Sequence, residues 1–217
     1  MKLVIRKLIE LLYPKRCPFC RKLMDEKRPV CPLCHGKLPL TIGNEQSQSF
    51  PFVDNCVSPL YYEGTVRESL HRYKFSGAAA YAEIYGEFIS KCIDENSITC
   101  DIITWVPLSK TRKWKRGYNQ AELIGRYLSE SLAVPGTDLL KKIKNNPAQS
   151  GTANAEIRKA NVRGVYKAIN EETLKGKCIL LVDDVVTTGS TISECARVLK
   201  EAGCKEVYAA TLARSKV

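Results

Sequence analysis

The chain has 217 residues, 44% of them hydrophobic and 26% charged, with a formal net charge of +11. This composition excludes a disordered chain, a collagen and a coiled coil, and no run approaches the roughly 18 apolar residues of a membrane span. The basic excess is concentrated: residues 1–50 hold ten Lys and Arg against four Asp and Glu, and residues 101–167 hold thirteen against five.

Charge alone leaves two readings open, a solvated surface or a face for phosphate, pyrophosphate or nucleic acid. The length predicts one core domain with a small appendage. Residues 2–12 place Ile5, Leu8, Ile9 and Leu12 at helical spacing, and Pro14 ends that helix. Arg6, Lys7 and Glu10 interrupt its apolar run and no small-residue cleavage site follows, so it is not a signal peptide. It either packs on its own domain or lies at a membrane surface.

Ten cysteines follow two patterns. Cys17, Cys20, Cys31 and Cys34 form two CxxC pairs, and the other six are scattered singly. Paired knuckles present four thiolates to one tetrahedral ion, and so short a segment has no apolar core of its own. A structural zinc module is therefore expected, with a redox CxxC as the alternative. His35 can replace Cys34 as ligand, but Cys34 completes the symmetric pattern. This cysteine usage predicts a cytoplasmic protein, peripheral to a membrane if the first helix binds one. Residues 36–50 are polar without a period and are expected to be a linker. The expected division is 1–50 for helix, zinc module and linker, and 51–217 for the core domain.

Beyond Pro51, strand and helix alternate. The segment 53–65 predicts a strand or hairpin; 65–75 and 78–92 predict helices; 101–108 is an apolar run closed by proline. A helix is expected over 119–132, a long basic segment over 139–167, and then a buried strand KCILLVDDVV, a helix STISECARVLKEAG and a final strand EVYAATLARS. Alternation with continuous apolar strands implies an α/β fold with a mostly parallel sheet flanked by helices.

The chemistry concentrates in 178–191, CILLVDDVVTTGST. A buried strand delivers Asp183 and Asp184 to the carboxyl end of the sheet, where open α/β folds bind ligands. The backbone N–H groups of Thr187, Thr188, Gly189, Ser190 and Thr191, opening a helix, form a phosphate cradle. Gly189 permits close backbone approach and positive φ. Two carboxylates would repel that phosphate unless they face something else, and vicinal ribose hydroxyls fit. The plain alternative is a buried strand and a helix cap.

This segment resembles the phosphoribosyl pyrophosphate (PRPP) loop of type I phosphoribosyltransferases. With the four-cysteine N-terminus, Lys74-Phe75 before Ser76-Gly77, VPLSKTRKWKRGYNQAE at 106–122 and QSGTANAEIRKANVRGVY at 149–166, the chain is identified as a member of the ComF family, competence-associated phosphoribosyltransferase-like proteins. The resemblance implies a type I phosphoribosyltransferase-like domain that takes PRPP with magnesium beside the zinc module. It places Val106, Pro107 and Leu108 at the pyrophosphate loop, with Ser109, Lys110 and Arg112 adjacent; a solvated turn is the alternative. It makes 141–167 a flexible lid, carrying Lys141, Lys142, Lys144, Arg158, Lys159, Arg163 and Lys167, with Gln149 and Asn161 to read sugar or base edges. A basic lid suits a departing pyrophosphate; a surface loop is the alternative. Asp183, Asp184 and Arg158 are the catalytic candidates. Family members that act on 6-oxopurines carry an acid where this chain has Thr187, which argues against hypoxanthine or guanine as acceptor.

Three functions fit. One is PRPP binding together with contact to single-stranded DNA, in DNA uptake and natural transformation alongside competence proteins. Arg112, Lys113, Trp114, Lys115, Arg116 and Tyr118 supply cations and stacking rings for it, unless they form an exposed charged loop anchored by two aromatics. The second is a phosphoribosyltransferase with an unknown acceptor, and the third a PRPP-sensing regulator.

Overall fold

In a computed structural model, the structure describes residues 16–24, 29–144 and 163–216. The helix expected over 2–12, and Gln149, Arg158, Lys159 and Asn161 of the basic segment, lie outside those residues.

The elements in chain order are helix α1 (Pro32–His35), a 3-10 turn (Gly43–Gln46), β1 (Ser47–Phe50), β2 (Val53–Val57), β3 (Leu60–Tyr61), α2 (Gly64–Phe75) and α3 (Tyr81–Glu95). Then come β4 (Ile102–Trp105), α4 (Lys110–Arg116), α5 (Gln120–Ser131), β5 (Leu140–Lys142), β6 (Tyr166–Ala168), β7 (Cys178–Val186), α6 (Ser190–Glu201) and β8 (Glu206–Arg214). The main sheet runs β1-β2-β8-β7-β4, with β3 continuing the line of β2 along β8. Every pair is parallel except β1 with β2. β5 and β6 form a separate antiparallel pair.

β7 and β8 hold the centre because both of their faces are apolar. Leu180 and Val182 join Ala210 and Leu212 in one core, while Ile179 and Leu181 join Val207 and Ala209 in the other, which is strand alternation buried on both sides. The first core lies under α2, α3 and α5 and takes in Cys17 and Phe19. The second lies under α6 and the β5–β6 pair. Helix α2 buries Val66, Leu70 and Tyr73, a stripe at helical spacing. Trp105, at the end of β4, is 2% exposed; its indole N–H donates to Asp138 at 2.7 Å, and the Arg126 guanidinium lies 5.3 Å over its ring. Among the described residues, no helix is long and apolar enough to cross a membrane.

One expectation changes and two open alternatives are decided. The linker expected over 36–50 is folded, and the sheet begins at Ser47 as an edge strand. An edge strand needs no apolar run when its side chains find partners, and the end of α3 supplies them. Ser47 donates to Asn96 at 3.0 Å, and Gln46 donates to Glu95 at 2.8 Å. The segment 53–65 is not a hairpin, because β2 and β3 both run parallel to β8. Finally, the charged stretch after Ser109 is not a loop. It is helix α4, capped by Ser109 accepting from the Arg112 N–H and closed by Gly117 at φ 79°.

Candidate functional site

Past Val182, strand alternation along β7 sends its two acids to opposite sides of the sheet. Asp184 faces α2, where Lys74 Nζ lies 2.9 Å from its carboxylate. Asp183 lies on the α6 side, within electrostatic reach of Lys142, Tyr166 and Cys195. The Asp184 N–H donates to Asp183 at 2.8 Å. Burial pushes the Asp183 carboxyl up and the Asp184 charge pushes it further, to about 7, against the pull of that N–H, Lys74 and Arg116. Burial works against the Lys74 ammonium, but the two acids outweigh it and raise its pKa.

Past Val186 the chain turns through Thr187, Thr188 and Gly189 into α6. Gly189 is the N-cap at φ 71°, and no side chain caps the helix. The first-turn N–H groups are therefore left for an anion, with the helix dipole in its favour. Thr187 is exposed; Thr188, Ser190 and Thr191 are half-buried, with the Thr188 and Ser190 hydroxyls 3.0 Å apart. The positive φ expected of Gly189 is present. The close approach comes from within the chain, since a Cβ at Gly189 would run into the Phe50 ring of β1.

Of the residues expected to form a pyrophosphate loop, Val106 has both backbone groups engaged. Its N–H donates to Val182 at 3.0 Å and its carbonyl accepts from Asn119 at 3.1 Å. Pro107 has no N–H, so Leu108 keeps the loop's remaining amide. Burial and Arg112 together depress the Lys142 ammonium. Burial also lowers Arg116, with Asp184 opposing and Arg112 adding to the effect. Lys74, Arg116 and Lys142 thus lie within electrostatic reach of the acids, and Arg112 adds its charge to Arg116 and Lys142, a concentration of positive charge suited to an anion.

The six nucleic-acid candidates separate. Lys113, Trp114 and Lys115 are exposed, Trp114 at 86%. Lys113 already pairs with Glu122 at 3.1 Å. Arg112 and Arg116 are half-buried, and both acids lie within electrostatic reach of Arg116. Tyr118 is not a free stacking ring: its hydroxyl donates to the Tyr73 carbonyl and its ring packs 5.8 Å from that of Tyr73. Sequence reasoning gave no role to Lys74, which stands 110 positions from its partner, and counted Lys142 only as one basic residue among many.

On the same helix α2 that carries Lys74, two residues earlier, Arg72 reaches the zinc-module segment, where the sulfurs of Cys17, Cys20, Cys31 and Cys34 all lie within 4.8 Å of one another. A zinc ion about 2.3 Å from each would set tetrahedral sulfurs about 3.8 Å apart, so the cluster fits that ion. Burial raises all three thiols that shift, but for Cys31 the Cys34 N–H and the neighbouring thiols reverse it, to about 7. His35 is exposed and outside the cluster. Helix α2 grips the first knuckle: Arg72 donates to the carbonyls of Pro18 and Phe19 at 2.8 Å each. Purified reduced protein should carry about one zinc per chain, and chelation should unfold the knuckles and lower the melting temperature. Elemental analysis finding no zinc in metal-replete material contradicts this assignment.

Comparison with known proteins gives two family matches, a phosphoribosyl transferase domain over residues 119–216 and a double zinc ribbon domain over residues 8–46. The chain is similar to Competence protein F of Haemophilus influenzae, at 28% identity over 92% of this chain and 97% of the relative. It is similar to the DNA utilization protein YhgH of Escherichia coli, at 27% identity over 92% and 90%. It also matches Competence protein ComFC of Streptococcus pneumoniae, at 31% identity over 94% of this chain and 83% of the relative. A zinc ribbon joined to a type I phosphoribosyltransferase fold, with likeness along nearly the whole length of these relatives, means that the chain belongs to the ComF family.

Proposed function

We propose that this protein binds PRPP with magnesium at the β7–α6 turn, contacts single-stranded DNA through α4, and acts in DNA uptake. The observation that carries the first part is the acid pair at the end of β7, set beside an uncapped helix N-terminus. The Thr187–Thr191 backbone takes the 5-phosphate, and Asp183 and Asp184 accept hydrogen bonds from the ribose hydroxyls. Bound magnesium would neutralise pyrophosphate charge. Arg112 and Lys142 supply the protein's share of that charge, and Lys74 steadies Asp184. The names of the relatives, competence and DNA utilization proteins, support the second part. The exposed cations of α4 beside Trp114 support it independently.

Isothermal titration of Mg-PRPP and of an oligothymidylate, each with and without the other, tests both parts. Absence of heat with Mg-PRPP removes the first, and absence with the oligonucleotide the second. A transferase reading would also require pyrophosphate release, which a coupled assay detects. Lys110 and Lys115 have no acidic partner among the described residues, whereas Lys113 and Arg116 are engaged. Replacing Lys110 and Lys115 by Ala should therefore weaken DNA binding and reduce its log–log salt slope by about 1.4, at about 0.7 per phosphate contact. Trp114→Ala should cost about 1–3 kcal/mol with the slope unchanged, because stacking releases no counterions. An unaltered slope in the lysine variant rules out α4 as the phosphate track.

A further inference from the structure

The last two residues of α2 part ways. Lys74 turns inward to Asp184, while Phe75 turns outward and is 61% exposed. A single exposed ring is ordinary on a surface, so what distinguishes Phe75 is the groups that lie against it. This ring is already backed. The Arg116 guanidinium lies 4.9 Å over its centroid, and the His71 ring is 4.8 Å away at 46°. Arg116 is itself fixed, donating to Gln120 at 2.8 Å, and both acids lie within its electrostatic reach. A ring held by a fixed cation and still 61% exposed has surface left to take a second flat π-system. Ser76 and Gly77, which follow, offer no amide or carboxylate side chain to read a base edge.

We propose that Phe75, backed by Arg116, stacks an unpaired base of single-stranded DNA whose phosphates lie along α4, so that the base sits beside Asp183 and Asp184. This rests on the reading above that the chain binds DNA and PRPP. It assigns to Phe75 the stacking role that Tyr118, locked to Tyr73, cannot fill. A DNA base is favoured over a free base because Lys110 and Lys115 on α4 are unpaired among the described residues and match a phosphate chain in charge. A free base carries no phosphate and would leave those two cations unused.

The test titrates oligothymidylate, thymidine and adenine against the wild-type chain and against Phe75→Ala, Phe75→Leu and Phe75→Trp. Melting temperature and zinc content serve as folding controls. Phe75→Ala and Phe75→Leu should bind the oligonucleotide roughly 5- to 100-fold more weakly with an unchanged salt slope. Phe75→Trp should restore binding, and Mg-PRPP affinity should not move. If Phe75→Ala binds the oligonucleotide like wild type while Trp114→Ala is weakened, the platform is refuted and the DNA reading stands. If the wild type binds no oligonucleotide, both fall. If adenine or thymidine binds Phe75 as tightly as the oligonucleotide does, the platform serves a free acceptor base and the DNA assignment is overturned. Should Phe75→Ala melt early, Phe75→Leu decides, because leucine keeps apolar volume without a π-face.

Discussion

Replacing Asp183 and Asp184 together by Asn should remove PRPP binding while the chain still folds. Each carboxylate would accept a charge-assisted hydrogen bond from a ribose hydroxyl, worth about 1.5–3 kcal/mol. Losing two predicts an affinity drop on the order of 10²–10⁴-fold by calorimetry. Unchanged affinity would take the ribose away from these residues. The single change Asp183→Asn separates function from stability. Burial and Asp184 hold the Asp183 carboxyl near 7, above the roughly 3.9 of an unfolded chain. Between those values the folded state binds more protons than the unfolded one, so this group's contribution to stability falls as pH rises through 4 to 7 and then levels off. Asp183→Asn removes that dependence. It should stabilise the fold by about 1–3 kcal/mol at pH 8, with the gain vanishing toward pH 4. For the same reason PRPP affinity in the wild type should rise from pH 6 to pH 8. Asp184→Asn should act oppositely on stability, because it leaves Lys74 without its partner.

Gly189→Val is the second large effect. At φ 71° a side chain costs about 1–2 kcal/mol, and its Cβ also meets Phe50. Overpacking adds about 1–3 kcal/mol and forces either β1 or the cradle to shift. Phosphate binding should be abolished and the melting temperature lowered, with zinc content unaffected. Pairing Gly189→Ala with Phe50→Ala tells the two causes apart, since the double variant relieves the collision and keeps the backbone strain. If Gly189→Val binds PRPP normally, the cradle lies elsewhere.

The central fold was legible because its strands are apolar on both faces and its helices begin and end at ordinary signals. β7, α6 and β8 lie where 177–186, 190–203 and 206–215 put them. The linker that became β1 and the stretch that became α4 share one cause, absence of an apolar period. α4 buries no residue, so its seven polar and aromatic positions carry no stripe to betray a helix. β1 is a polar edge strand whose partners lie on the far end of α3. The acid pair and the glycine of the site were readable as a local motif. Lys74, Phe50 and Phe75 reach that motif only through the tertiary fold, and no spacing rule links positions more than a hundred residues apart.

The chain has two tryptophans, and the fold puts them in opposite surroundings. Trp105 is sealed in the core with its N–H bonded to Asp138, while Trp114 stands in solvent on α4. Their emission therefore separates by colour and by quencher access, the buried indole to the blue and iodide-resistant, the exposed one to the red and iodide-sensitive. One unlabelled sample thus carries an optical reporter of the core and another of the basic face.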